Sequence, residues 1–454
     1  MQNAHRKVAK SLAIPAAAPL FLVIFYWRAL NAWFYQDDFG WLHLGLGPHP
    51  MAFSARLLFA PKAHGNIRPW SENLFFWGLG KLFGMNALPF HIAIFATVIA
   101  SLALLFAIVR QLTGSTLAAT AAQFFWIANP AFSPDLAWAS ICNETQYVFC
   151  ILLALWLLMR GRYWLQVAVF VLALGSQETA VMYPCIASLY ALVYDRVKFR
   201  STLPLYAVSA AFTALHFYAA PAVQTGPYAM HLDSRIFSTL KTYITMVLGP
   251  ERFGHFQWTW PSTLISAAGL VLLVGVCAAA IAARRAGIFG AAWFVILLVP
   301  FLVLPEHIFE YFLTGSSIGL AIILGAALAS RWRVPCAVLA VAYLAFALPA
   351  AWQTTTWYVN RSLIARDFVE KVVKYHAAHS EKTIFLDGIN IDQFNAAYVN
   401  IPFELYGMPT IWLTPEAAAK INDASHFAPL FVPSNARELL ASPEITIIEF
   451  SRGL

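Results

Sequence analysis

The sequence predicts an all-α polytopic membrane protein of about eleven transmembrane helices, followed by a small C-terminal α/β unit, and three observations predict it. Of the 454 residues, 60% are hydrophobic and only 11% are charged, whereas a soluble domain carries roughly 25% charged residues, so a water-solvated globule is excluded. Apolar runs long enough for a bilayer core of roughly 30 Å recur along the first 350 residues or so. The basic residues punctuate these runs in alternation instead of forming a patch, which removes nucleic acid as the explanation of the +7 formal charge.

Taken in order, the candidate spans are residues 12–30, 87–109, 115–130, 145–159, 163–176, 179–194, 203–220, 262–283, 288–305, 311–330 and 334–352. Arg6, Lys7 and Lys10 precede the first, but no small-residue cleavage site follows, so it reads as a retained span and not a signal peptide. With the N-terminus cytoplasmic, the inner turns carry Arg110, then Arg160 with Arg162, then Arg196, Lys198 and Arg200, then Arg284 with Arg285, then Arg331 with Arg333. That agrees with the positive-inside rule. Ten of the eleven carboxylates before residue 353, all but Asp195, fall at outer loops or outer span ends.

Three outer segments are long: 31–86, 131–144 and 221–261. The first includes Trp70–Phe83, aromatic-rich enough for an interfacial amphipathic helix. The membrane domain covers residues 1–352. From 353 to 454 the chain is mixed, with apolar segments at 383–386, 410–413 and 445–450 that read as strands of a small α/β domain on the outer face. Cys142, Cys150, Cys185, Cys277 and Cys336 lie in or beside spans without metal-ligand spacing and read as packing residues. There is no internal repeat.

The sharpest candidate for chemistry is Tyr35-Gln36-Asp37-Asp38-Phe39, where the first span leaves the membrane. Carboxylates beside a membrane are costly to keep there. Asp37 or Asp38 is a candidate general base toward an acceptor hydroxyl; the plainer alternative is an N-cap for the following helix. His64 and Arg68 follow in His64-Gly65-Asn66-Ile67-Arg68-Pro69. Arg68 fits either a phosphate contact or an interfacial anchor, and His64 reads more simply as a surface histidine. Asn143, Glu144, Gln177 and Glu178 lie at matching depth on two spans, and either satisfy one another or bind substrate. His307, in Leu304-Pro305-Glu306-His307-Ile308-Phe309-Glu310-Tyr311, is positioned to close a cavity from the far side. Arg235, Lys241 and Arg252 are weaker phosphate partners, and Asp135 reads as a loop residue.

These motifs resemble the GT-C superfamily of polytopic glycosyltransferases, particularly the branch with protein O-mannosyltransferases and TMTC-type membrane domains. Asp37-Asp38 looks like the acidic pair after the first helix of those families. Ile67-Arg68-Pro69 with Leu82-Phe83-Gly84, Pro89 and His91 looks like their run into the second helix, and Ser176-Gln177-Glu178-Thr179-Ala180 to Pro184 is similar to their Lys-Glu motif, after Asn129-Pro130 and Asn143-Glu144. The likeness covers roughly residues 20–195 well and the later spans loosely. Gln177 stands where Lys is usual and Glu310-Tyr311 where several relatives carry Arg-Tyr, leaving Arg68 as the best remaining phosphate contact.

The resemblance implies a GT-C-like fold and inverting transfer of a sugar from a polyprenyl-phosphate donor to a glycan, lipid or protein acceptor on the outer face. It implies no cofactor and no metal. A weaker expectation places the chain in a bacterial inner membrane with the C-terminal domain periplasmic. The rival classes are a lipid or glycan transporter, which would place ionisable residues near the bilayer midplane, and a catalytically silent scaffold.

Overall fold

The computed structural model describes residues 15–62, 65–221, 223, 225–249, 259–408, 410–422 and 428–450. The protein is a helical membrane protein with a small parallel sheet near its C-terminus. The helices are α1 (Pro15–Phe25), α2 (Asp37–Leu46), α3 (Ala55–Phe59), α4 (Phe75–Phe83), α5 (Leu88–Thr113), α6 (Thr116–Ala128), α7 (Ser133–Ala137), α8 (Cys142–Met159), α9 (Tyr163–Leu174), α10 (Tyr183–Tyr194) and α11 (Phe199–Ala219). They continue as α12 (Arg235–Leu248), α13 (Ser262–Ala282), α14 (Arg285–Leu302), α15 (Leu313–Leu328) and α16 (Arg333–Ala378).

Each expected span coincides with a helix, but eleven full-length spans are not present. Among the described residues six helical segments are long and apolar enough to cross a membrane: 88–113, 139–159, 262–282, 285–302, 310–328 and 333–378. The difference is one of length. The apolar stretch from 163 to 194 is interrupted at Ser176-Gln177-Glu178, leaving α9 and α10 with 12 residues each, about 18 Å at 1.5 Å per residue against a core of roughly 30 Å. The spans expected at 163–176 and 179–194 flank this same break, so their place holds and their length is what falls short of a full crossing. Residues 12–14 of the first expected span lie outside the described residues.

Local signals set the element ends. Pro89 occupies the start of α5, where its missing N–H costs nothing. The helix closes on Gly114 at φ 71°, and Ser115 then caps α6 by accepting the Ala118 N–H at 3.2 Å. Small residues bring the central helices together. A Cβ at Gly319 of α15 would lie 2.2 Å from the Gly290 carbonyl oxygen of α14, the kind of backbone approach that small residues permit between membrane helices. Residues 313–327 of α15 are all buried, so this helix is the axis of the bundle.

The expected boundary at residues 352/353 falls inside α16. This helix has 46 residues, about 69 Å. Its second half acquires Arg361, Arg366, Asp367, Glu370 and Lys371 and leads directly into the C-terminal segment. There β1 (Thr383–Asp387), β2 (Trp412–Leu413) and β3 (Ile445–Glu449) fall on the three expected strand segments and pair in parallel in the order β2-β1-β3. Between them lie α17 (Ile391–Ala396), α18 (Pro415–Asn422) and α19 (Ala436–Leu440). Phe368 of α16 packs on Tyr398, Phe403 and Phe450, fastening the helix to this segment.

Candidate functional site

The bundle has two chemically distinct ends. At one, Lys198 donates to the Met159 carbonyl, Tyr194 meets Phe289 edge-on, and Arg284 and Arg331 line a common crevice, so several basic turns gather there. Asp195, the exception to the carboxylate pattern, sits at this end and pairs with Lys198 at 3.0 Å. Glu251 lies outside the described residues, and at the opposite end Asp37, Asp38, Glu72, Asp135, Glu144, Glu178 and Glu310 lie within electrostatic reach of one another or of shared partners.

There the two adjacent aspartates have different environments. Asp37 is exposed at the start of α2, while Asp38 is fully buried. Asp38 Oδ1 accepts from the Ser140 N–H at 2.7 Å and the Ser140 hydroxyl at 2.5 Å, and Oδ2 accepts from the Tyr35 N–H at 3.1 Å. The N-cap position itself belongs to Gln36, at φ 50° and without a side-chain cap. Its N–H donates to the Ala396 carbonyl at 2.7 Å, which ties this turn to the C-terminal segment. Burial pushes the Asp38 carboxyl up from 3.8 to about 7 despite the donors from Ser140 and Tyr35.

That shift predicts a pH dependence. A carboxyl raised in the fold contributes stability that is fully present below about pH 3.8 and is lost as pH rises through about 7. Thermal unfolding of the detergent-solubilised protein should therefore begin at lower temperature as pH goes from 5 to 8, and Asp38→Asn should flatten that trend. An identical slope in the variant refutes this account.

Arg68 is not a waiting cation. Its Nε donates to both oxygens of Glu178 at 3.0 and 2.9 Å, its Nη2 to Glu178 at 2.6 Å, and its Nη1 to Glu72 at 2.5 Å. Glu72 lies on a widened helical turn over 69–74, in which the Asn73 N–H reaches back five residues to the Arg68 carbonyl, and this turn runs into α4. Burial pushes Glu72 up to about 7, with Arg68 opposing and Glu178 reinforcing. The same turn is docked by the Trp70 N–H on the Gly175 carbonyl at 3.3 Å and the Ser71 hydroxyl on the Ser176 carbonyl at 2.6 Å. A Cβ at Gly175 would stand 2.5 Å from the Trp70 indole nitrogen, so this approach requires glycine.

Glu144 and Gln177 meet, the amide nitrogen donating to the carboxylate at 2.7 Å, so the matching depth read from the sequence is a direct contact. Asn143 is buried beside them and accepts the Glu144 N–H. The His307 ring lies 4.3 Å from that of Tyr228, tilted by 40°, and packs on Phe309 and Phe312. Tyr228 connects the groups: its hydroxyl is held above its ordinary range by burial and by the charge of Asp37, against Arg68 and with Glu72. Asp37, Arg68, Glu72 and Tyr228 therefore share one electrostatic neighbourhood. His64 and Arg252 lie outside the described residues. Arg235 is exposed and pairs with Asp233 at 2.7 Å, and Lys241 is exposed on α12.

Several participants were not singled out by the sequence. Asp135 is not a surface loop residue but is fully buried on α7, where it accepts from the Thr314 hydroxyl, and burial holds it well above the carboxylate range. Ser140 holds Asp38. Trp138 stacks on Tyr35 at 5.2 Å and on Tyr358 at 6.4 Å, with Tyr311 edge-on at 6.2 Å, while Tyr358 donates to Glu310 at 2.7 Å. No local signal marks Ser140, Trp138 or Tyr358, because each contact joins segments about 50 to 220 positions apart.

Among the described residues no group of three or more His, Cys, Asp and Glu side chains is arranged to hold a metal ion. In comparison with known proteins, the chain matches no family model and no curated sequence.

Proposed function

We propose that the chain is a multi-pass membrane glycosyltransferase of GT-C type that moves a sugar from a polyprenyl-phosphate donor to a glycan, lipid or protein acceptor, with inversion and with Asp37 as the base. The observation that carries this reading is the division of labour in the acidic pair. Asp38 has both oxygens committed to Ser140 and Tyr35, whereas Asp37 is exposed at the end of the bundle beside the arginine–carboxylate cluster. A general base must be able to reach the proton it takes.

In the proposed reaction the acceptor oxygen attacks the anomeric carbon and its proton passes to Asp37. The bond from that carbon to the phosphate oxygen breaks, and the polyprenyl phosphate leaves with the electron pair. Arg68 is the nearby cation suited to the phosphate, but it meets an anion only by giving up Glu72 or Glu178. Glu72, raised to about 7, is the partner that loses its charge more easily. The separation of basic and acidic ends supports an extracytoplasmic site and a cytoplasmic N-terminus, with a bacterial inner membrane as the proposed location. The double pairing of Arg68 favours a second reading, a catalytically silent scaffold of the same architecture.

Mass spectrometry of lipid-linked glycans, surface polysaccharide and envelope proteins separates the two. Cells carrying Asp37→Asn at matched membrane abundance should lose one sugar-sized increment and accumulate the corresponding polyprenyl-phosphate sugar. If deletion of the chain changes the profile but Asp37→Asn does not, the base assignment fails and the scaffold stands.

A further inference from the structure

The basic end of the bundle holds a crevice of about 920 Å³, within the range of roughly 300–1,000 Å³ typical of ligand sites. Its walls are small and apolar, with Gly275, Ala278 and Ala282 from α13, Ala326 from α15, and Pro335 and Leu339 from α16. The charged residues in the lining are Arg284 and Arg331, with no carboxylate among them. Arg331 is set over the Trp332 ring at 5.5 Å, at the mouth.

Two independent features indicate an occupant and the side from which it comes. Arg284 sits at φ 52° and ψ −119° in the α13–α14 turn, a conformation that glycine adopts freely and other residues hold at a cost of about 1–3 kcal/mol. A strained arginine retained at a turn where glycine would relax is understandable if its side chain is needed there. The helices that flank the crevice turn bare aliphatic rows outward: Leu270, Val274 and Ile281 on α13, and Val334, Val338 and Val341 on α16 are all exposed. Helices with exposed aliphatic rows thus flank the crevice, Ile281 is part of both the row and the lining, and two cations lie in the same lining.

We propose that this crevice binds an anionic phospholipid of the surrounding bilayer, with an acyl chain along the alanine-lined wall and the phosphate between Arg284 and Arg331. An apolar slot capped by two cations matches that chemistry, since basic recesses between membrane helices select anionic headgroups. Entry is sideways from the bilayer, which a soluble anion has no need of. The site lies at the opposite end of α15 from Asp37 and is independent of the transferase reading.

Native mass spectrometry of the intact, detergent-purified chain tests it, with phosphatidylglycerol, phosphatidylcholine and inorganic phosphate as probes. Phosphatidylglycerol should be retained over phosphatidylcholine, and millimolar inorganic phosphate should not displace it. Arg284→Ala with Arg331→Ala should weaken retention about twenty-five-fold, each cation contributing roughly a factor of five. Arg284→Lys with Arg331→Lys should keep most of it. Ala278→Trp, at an exposed wall position that tolerates bulk, should reduce it without touching either cation, and Arg160→Ala with Arg162→Ala, at another basic turn, should leave it unchanged. Equal retention of the two lipids, displacement by phosphate, an equal loss in the Arg160/Arg162 control, or full retention in Ala278→Trp would each overturn the proposal.

Discussion

Arg68→Ala should lower the stability of the fold by about 3–5 kcal/mol, the cost of removing one partner from a buried ion pair and leaving charge behind. The side chains of Arg68 and Glu72 are 15% and 4% exposed, and Glu178 is 23% exposed, so water compensates little for the loss. Arg68→Lys should recover only part, because one ammonium cannot give Glu178 its three donations and still reach Glu72. Arg68→Ala with Glu72→Gln should be closer to the original than Arg68→Ala alone, since the most buried carboxylate is then neutral. Tryptophan-monitored thermal unfolding in detergent measures all three. An Arg68→Ala midpoint within a degree of the original would mean that the cluster is already solvated and that Arg68 is available to a ligand.

The adjacent aspartates should separate just as clearly. Asp38→Ala strands the Ser140 N–H, the Ser140 hydroxyl and the Tyr35 N–H in a buried site, and an unsatisfied buried donor costs about 1–3 kcal/mol. Even with relaxation the variant should lose several kcal/mol and accumulate poorly in the membrane. Asp37→Asn, an isosteric change at an exposed position, should cost less than Asp38→Ala, part of its loss being the favourable charge at the first turn of α2. If Asp37 is the base, transfer should nevertheless fall by about 10²–10⁴-fold in that well-folded variant. The reverse pattern, a stable Asp38→Ala and a misfolded Asp37→Asn, would exchange the roles. Ser140→Ala provides a further check: it removes one of the donors to Asp38 and should shift stability in the same direction as Asp38→Ala, by less.

Much of the architecture was legible along the chain. The apolar runs at 87–109, 262–283 and 311–330 coincide closely with α5, α13 and α15, and the segments at 383–386 and 445–450 coincide with β1 and β3. The matching depth of Glu144 and Gln177 likewise became a hydrogen bond. The reading fell short in length and not in place: the spans expected at 163–176 and 179–194 fall on α9 and α10, which have only 12 residues each, and the change of composition at residue 353 lies inside the continuous helix α16. Hydropathy records the solvent that a segment prefers and not where its backbone turns, so neither the true helix lengths nor the continuity of α16 through residue 353 can be read from it.

By itself the sequence determined that this is a helical membrane protein, where its strands lie, and that most of its carboxylates and most of its basic turns belong at opposite ends. Those properties follow from composition and spacing, which each segment carries alone. Only the tertiary structure decided that Asp38 is sealed while Asp37 is exposed, that Arg68 is already held by Glu72 and Glu178, and that Asp135 is interior. The partners responsible lie far along the chain, Ser140 at 102 residues from Asp38 and Glu178 at 110 from Arg68. Burial and pairing are properties of that closure: two carboxylates side by side in sequence have no reason to differ until the fold sets a hydroxyl against one of them and water against the other.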